Sequence, residues 1–193
     1  MKALGEESRL TKEIATNIYT GIMTDTGSFR FASTSATTHR VAARLLEAGA
    51  ENAVIQQQVL NSNSLDGLKL LAVALSNINV LPEYKTAYIT LSQEELNRHN
   101  FKKGDTEGFV NYGLSIKGIV FAVIFIENKQ ENMIKISFRS IGDFSVNEFA
   151  RKHFNGGGHK NAAGGRSSLS LEETVKEFIS TLSSYKKILE DAT

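Results

Sequence analysis

Residues 119–126 read Ile-Val-Phe-Ala-Val-Ile-Phe-Ile, the longest uninterrupted apolar run in the chain. A strand without a polar side is buried on both faces, so the run predicts the middle strand of a sheet covered by helices. Farther on, Ile134, Ile136 and Phe138 alternate with polar residues after a turn within 127–132. This alternation is typical of a strand with one buried face. We therefore expect the two segments to form an antiparallel hairpin.

The sequence around this hairpin divides into two blocks. From Pro82 onward, a β-rich segment at 86–91 and helical patterns at 93–99, 146–154 and 171–182 predict an α/β domain with a central mixed sheet. The earlier block is helical, with Ile14, Ile18 and Ile22 on one stripe and a second helix between Ser35 or Thr37 and Gly49. The predicted division is a helical segment at 1–60, a linker with a helix at 61–81 and a domain at 82–193.

Composition excludes several classes of protein. The 193 residues are 41% apolar, which is enough for a real core, and their net charge of +1 gives no global attraction to nucleic acid or membranes. Because there is no cysteine, disulfides and thiolate metal sites are excluded. The absence of a long apolar segment predicts no membrane association. We expect a cytoplasmic protein whose ligand contacts are local.

The segment 156–165 reads Gly-Gly-Gly-His-Lys-Asn-Ala-Ala-Gly-Gly and holds five of the fifteen glycines. Consecutive glycines let backbone N–H groups converge on an anion, and a helix starting near His159 would add further donors. This favours a phosphate-binding loop at Gly156, Gly157, Gly158 and His159. The alternative is a sharp corner whose small residues only permit close packing.

Two further segments are candidates for polar contacts. Arg139, near the end of the second hairpin strand, is suited to clamp a phosphate with its planar fork, although an exposed cross-strand ion pair is the commoner use. Ser140 follows it. Asp25 ends the first helix and either opens a turn or supplies a hard oxygen ligand to a divalent cation. One Asp alone cannot form a metal centre.

These segments occur in the order Gly-Ile-Met-Thr-Asp-Thr-Gly-Ser-Phe-Arg at 21–30, Thr38-His39, Leu-Leu-Glu-Ala-Gly-Ala at 45–50, Phe-Arg-Ser at 138–140 and the glycine motif. In this order they resemble the DHH phosphoesterases, RecJ-like enzymes, and most closely the branch of bifunctional oligoribonucleases and 3'-phosphoadenosine 5'-phosphate phosphatases. The resemblance covers the chain from about Leu10 to the last helix. It implies the end of a DHH domain followed by a DHH-associated domain.

The resemblance also implies roles and ligands. Two Mn²⁺ ions serve the family's DHH domain, and the substrates are short RNA or DNA oligonucleotides or a nucleoside bisphosphate. By position in the motifs, Asp25 corresponds to a metal ligand, Arg139 and Ser140 to phosphate contacts, and Gly156, Gly157, Gly158 and His159 to the loop that holds the terminal nucleotide.

The sequence departs from the family pattern before Asp25. No Asp-His-His motif and no DxD-like pair is present, and only five Asp residues occur in all. The chain is therefore expected to bind substrate while lacking most metal ligands, to be inactive alone, and to depend on a separate or missing DHH domain. The alternative is a nucleic-acid-binding module without catalysis, as the DHH-associated domain is in alanyl-tRNA synthetases.

Overall fold

The computed structural model describes residues 10–31, 33–60 and 63–192, which form two compact units that divide between Asn63 and Ser64. The predicted boundary residues Asn61 and Ser62 lie outside the described residues. In the second unit, the helix that the sequence predicts as part of a linker packs against a strand through Leu70 and Ala74. No helix in the described part of the chain is long and apolar enough to span a bilayer.

The first unit contains three helices: α1 (Lys12–Asp25), α2 (Ala36–Glu47) and α3 (Asn52–Leu60). Ser35 is the N-cap of α2, accepting a hydrogen bond from the amide of Thr38, and Gly49 follows the helix with a left-handed φ of 99°. Both predicted boundaries of this helix are confirmed.

The predicted apolar stripe of α1 is displaced by one residue. The buried side chains are Ala15, Tyr19 and Met23, whereas Ile14 and Ile18 are each 39% exposed. The helix is oriented by the burial of Tyr19 and Met23, which pack in one core with Leu45 and Ile55.

The second unit is built on a mixed six-stranded sheet with the order β1-β2-β3-β4-β6-β5. Its strands are β1 (Asn79–Leu81), β2 (Thr86–Leu91), β3 (Phe121–Asn128), β4 (Met133–Ser140), β5 (Gly157–His159) and β6 (Ala162–Ser167). Strands β2 and β3 are parallel and the other neighbours are antiparallel. The predicted α/β class and the hairpin of β3 with β4 are confirmed, and residues 121–125 are all buried.

Helices cover the two faces of this sheet unequally. One face, with Phe121, Phe125 and Phe138, is covered by α7 (Val146–His153), α8 (Leu171–Leu182) and α9 (Lys186–Asp191). The other face carries α4 (Leu65–Ser76), α5 (Gln93–Arg98) and α6 (Asn111–Leu114), which pack over β2 and β3. Over β4, β6 and β5 this second face is open, because its residues there are half-buried or exposed.

Candidate functional site

Arg139 and His159 lie in one row across the open face. Arg139 of β4 is paired with Ala162 of β6, and Ala162 is paired with His159 of β5. Directly paired residues of an antiparallel ladder project to the same face, so both side chains stand on one surface with a single methyl group between them. The register therefore places Arg139 on the same surface as the end of the glycine segment.

A second row of small residues lies beside the first. Ser137, Gly164 and Gly157 are aligned across β4, β6 and β5, two residues along each strand from the first row. Gly164 is exposed, and a Cβ built on it would approach only the carbonyl oxygen of Ile136, at 3.7 Å. The result is an open floor, made by Ser137, Ala162 and Gly164, that can accept a flat group such as a nucleobase, whereas Gly157 lies against side chains of α7.

The glycine segment is a strand, and the prediction of a loop followed by a helix near His159 was wrong. Gly157–His159 pairs with residues 162–164 around a turn at Lys160 and Asn161. The amide of Gly156 donates to the carbonyl of Ala150 at 3.2 Å, and the amide of Gly158 donates to Asn147 Oδ1 at 2.9 Å. These two N–H groups are therefore committed to protein acceptors, which leaves no cradle of consecutive free amides.

Close packing explains two of the three glycines. A Cβ on Gly156 would overlap the carbonyl oxygen of Gly164, and one on Gly158 would lie 2.5 Å from the carbonyl oxygen of Ala162. The alternative that small residues permit close packing thus accounts for Gly156 and Gly158. Gly157 differs, because its nearest neighbours are the side chains of Asn147 and Arg151 at 3.5 Å.

Arg139 is half-buried at the inner end of the first row. Burial lowers the pKa of its guanidinium, and the carboxylate of Glu107 acts in the opposite direction. Its Nη1 donates to the carbonyl of Phe138 at 2.9 Å, which uses one of five N–H donors. An arginine in proteins keeps its charge. Arg139 therefore presents a partly desolvated cation, with its remaining N–H donors, at this face.

Ser140 does not belong to this group. It follows Arg139 on the strand and projects to the opposite face, with 5% of its surface exposed. Its hydroxyl donates to the carbonyl of Phe144 at 2.7 Å and accepts from Asn161 Nδ2 at 2.9 Å. Ser140 therefore anchors the turn between β5 and β6, and the geometry favours a positioning role over direct contact with phosphate.

Two residues of α7 join the site without having been predicted. Asn147 Oδ1 accepts from the amide of Gly158 and also from Arg151 Nε, at 3.2 Å. The two residues lie four positions apart and so share one side of the helix. A polar i, i+4 pair just before the glycines is the signal in the sequence, but it is common on exposed helices and does not by itself indicate a role.

Asp25 is the last residue of α1 in the first unit and is exposed. The turn that follows has three consecutive left-handed residues, Gly27, Ser28 and Phe29, and is held by the buried hydroxyl of Thr26, which accepts from the Phe29 amide at 3.0 Å. Within 10–31, 33–60 and 63–192, no cluster of three or more His, Asp or Glu residues is placed to hold a metal ion. The residues described here therefore do not fit a two-metal centre, and Asp25 stays a predicted ligand.

The comparison with protein families matches residues 83–187 to the DHHA1 domain. The chain is 35% identical over 154 residues to the bifunctional oligoribonuclease and PAP phosphatase NrnA of Thermus thermophilus, covering 80% of this chain and 45% of that protein. The NrnA protein of Bacillus subtilis is 31% identical over 81% of this chain and 48% of its own length.

A solved structure, that of an exopolyphosphatase-related protein from Bacteroides fragilis, superposes with a TM-score of 0.94 and 42% identity. It matches 98% of this chain and 55% of the other. The chain therefore spans about half the length of the relatives that it matches, and the matches extend over both of its units.

Proposed function

Because the chain belongs to the DHHA1 domain family, within the DHH phosphoesterases, we propose that it is the substrate-binding part of a DHH-family hydrolase. The substrate class is a short oligonucleotide or a nucleoside 3',5'-bisphosphate, as the names of the NrnA relatives suggest. The observation that carries the proposal is the row Arg139–Ala162–His159 on an open sheet face.

In this proposal Arg139 binds the terminal phosphate through its guanidinium fork. His159, exposed at the other end of the row, contacts the same nucleotide from the edge strand. The floor of Ser137, Ala162 and Gly164 receives the base or sugar, since a Cβ on Gly164 would approach only a carbonyl oxygen. Gly156, Gly158 and Ser140 keep β5 and its turn in place and do not touch the phosphate.

The decisive experiment measures binding of adenosine 3',5'-bisphosphate to the 193-residue chain and to two variants. Arg139→Ala and His159→Ala are each expected to weaken binding about tenfold or more, because a charge-assisted contact contributes about 1.5–3 kcal/mol. Lys176→Ala is the control, since Lys176 pairs with Glu172 on α8, which covers the opposite face of the sheet. Unchanged affinity in both site variants would refute the proposal.

The metal chemistry is the second part of the proposal. In hydrolases of this kind a pair of metal ions would supply an activated water and neutralise charge on the leaving oxygen, and Mn²⁺ is the ion implied by the family resemblance. Asp25 would contribute one carboxylate, which is too few ligands for two ions. We expect the purified chain to release no mononucleotide with Mn²⁺, and turnover at a rate typical of an intact enzyme would contradict this.

We infer that exposed apolar side chains of the first unit contact further residues of a DHH domain, on the same or a separate chain. Ile14, Ile18, Val41, Val54 and Leu60 are each between 39% and 49% exposed, and the matched relatives extend well beyond the part that aligns with this chain. Co-expression with the DHH domain of a relative is expected to restore hydrolysis, and a failure of the two to associate would argue against this assignment.

A binding module without catalysis is the other candidate. It needs only residues 83–187, whereas the matched relatives also align with part of the first unit. That unit carries the Asp25 turn, for which a pure binding module has no use. The hydrolase is therefore the better supported of the two functions, and an Asp25→Ala variant of the co-expressed complex that kept full activity would favour the module.

A further inference from the structure

A third row of residues continues the open face beyond the small-residue floor. Lys135 of β4 is paired directly with Arg166 of β6. Because the register alternates faces, this pair stands on the same side as Ser137 with Gly164 and Arg139 with Ala162. Both side chains are exposed. The row therefore adds two cations to the surface that carries the proposed nucleotide site.

The repulsion between these two paired cations destabilises the fold, so folding does not explain why both are present. Like charges directly opposite in an antiparallel sheet repel each other. One carboxylate is near, since Lys135 Nζ lies 2.6 Å from Glu131, in a pair whose side chains are 50% and 52% exposed. An exposed pair of this kind is weak in water. No carboxylate among residues 63–192 lies within ion-pair distance of Arg166, so the local charge stays positive.

The spacing of the rows suits an extended chain of phosphates. Residues two apart on a strand are roughly 6.5 Å apart, so Arg139, Ser137 and Lys135 form regular steps along β4. Phosphates of an extended single strand repeat at a comparable distance. The middle step has no bulky side chain, because Ser137 lies opposite Gly164. An oligonucleotide held at Arg139 can thus pass over the floor and reach the cation pair with a later phosphate.

We propose that Lys135 and Arg166 form a second phosphate subsite that binds oligonucleotides of three or more residues and does not contact a nucleoside bisphosphate. The subsite rests on the proposed function, because it takes Arg139 and His159 as the site of the terminal nucleotide. In this proposal the sheet face determines the preferred substrate length, because the cation pair contributes to the binding of longer oligonucleotides and not to that of the bisphosphate.

The test compares tetra-adenylate RNA with adenosine 3',5'-bisphosphate as probes of the 193-residue chain. The double variant Lys135→Ala with Arg166→Ala is expected to lower affinity for tetra-adenylate roughly tenfold, as the sum of two exposed charge contacts. Its affinity for the bisphosphate is expected to stay within twofold of wild type. The salt dependence of tetra-adenylate binding should become shallower by about 0.7 in log–log slope for each phosphate that the variant fails to neutralise.

A matched control separates this subsite from general charge. The control variant Lys176→Ala with Lys186→Ala also removes two positive charges, but from α8 and α9, where each lysine pairs with a glutamate. The control is expected to leave tetra-adenylate affinity within twofold. Melting temperatures establish folding, and the Arg166→Ala variant should melt no lower than wild type because it relieves repulsion.

The outcomes distinguish the two proposals. If the cation-pair variant and the control behave alike with tetra-adenylate, or if the cation-pair variant weakens the bisphosphate equally, the subsite is refuted. If Arg139→Ala still weakens both probes in that case, the proposed function stands. If the wild-type chain binds neither probe, both proposals are refuted.

Discussion

Arg139 and His159 face the same side of the sheet because both are paired with Ala162, Arg139 from β4 and His159 from β5. The two residues are twenty positions apart in sequence and belong to strands that are not neighbours. The small side chain between them leaves the surface open. Through His159, this relationship makes the glycine segment part of the proposed binding surface. The backbone amides of Gly156 and Gly158 are used for other contacts.

The glycines of this segment should separate into structural and surface positions. Gly156→Ala is expected to lower the free energy of unfolding by about 2 kcal/mol, the usual cost of overpacking, because its Cβ overlaps the carbonyl oxygen of Gly164. Gly164→Ala should leave stability nearly unchanged, since its Cβ meets only an oxygen at 3.7 Å. Urea denaturation of both variants measures the difference, and equal losses would contradict the assignment.

Asn147 should act as a positioning residue for β5. Its Oδ1 accepts the hydrogen bond from the Gly158 amide, so Asn147→Ala frees that edge of the strand. We expect weaker binding of adenosine 3',5'-bisphosphate with a much smaller change in melting temperature, since Asn147 is only half-buried. Asn147→Gln keeps a neutral amide acceptor without adding a charge and should restore part of the affinity. If the two variants bind alike, the hydrogen bond does not position the strand.

Glu107 should oppose the binding of anions at Arg139. Its carboxylate acts on Arg139 by Coulomb attraction, and a bound phosphate competes with that attraction. Glu107→Gln removes the negative charge and is expected to raise affinity for the bisphosphate about two- to threefold at low salt, with the gain shrinking as salt screens the charge. Glu172→Gln on α8 is the control, and titrations at two salt concentrations provide the measurement.

The regular elements could be predicted from the sequence because local signals agreed with tertiary packing. Residues 121–125 of the predicted run are buried in a central strand of the sheet, the predicted segment 86–91 is a strand, and Ser35 and Gly49 bound a helix. In the strands the apolar composition agrees with the burial that the sheet provides, and in the helix the cap residues agree with its observed ends. The same agreement makes the α/β class predictable.

The glycine segment could not be predicted, since its strand character comes from its neighbours. Ala162–Ser167 contains two alanines and two glycines, which have low β-propensity. It is a strand because β4 offers it a complete ladder from Ile134 to Arg139. The role of Ser140 depends likewise on the face it occupies, and a sequence without a known register does not give that face.

His153 should make the second unit sensitive to mild acid. Its Nε2 lies 2.8 Å from the hydroxyl of Tyr185, and its pKa is lowered by burial and by Lys152, with Glu177 acting in the opposite direction. The unfolded chain therefore binds the proton more tightly than the folded chain. The stabilisation is complete above the unfolded pKa of about 6.5 and is lost as the pH falls through that value toward the folded pKa.

The variant His153→Gln isolates this effect, because glutamine does not titrate while it retains a polar group near Tyr185. We expect the free energy of unfolding of wild type to fall more steeply than that of the variant between pH 7 and about pH 5. The other histidines are present in both proteins, so their contributions cancel in the difference. Denaturant titrations at several pH values provide the slopes. Parallel slopes would mean that His153 is equally protonated in the folded and unfolded chains, and that its contact with Tyr185 does not favour the neutral ring.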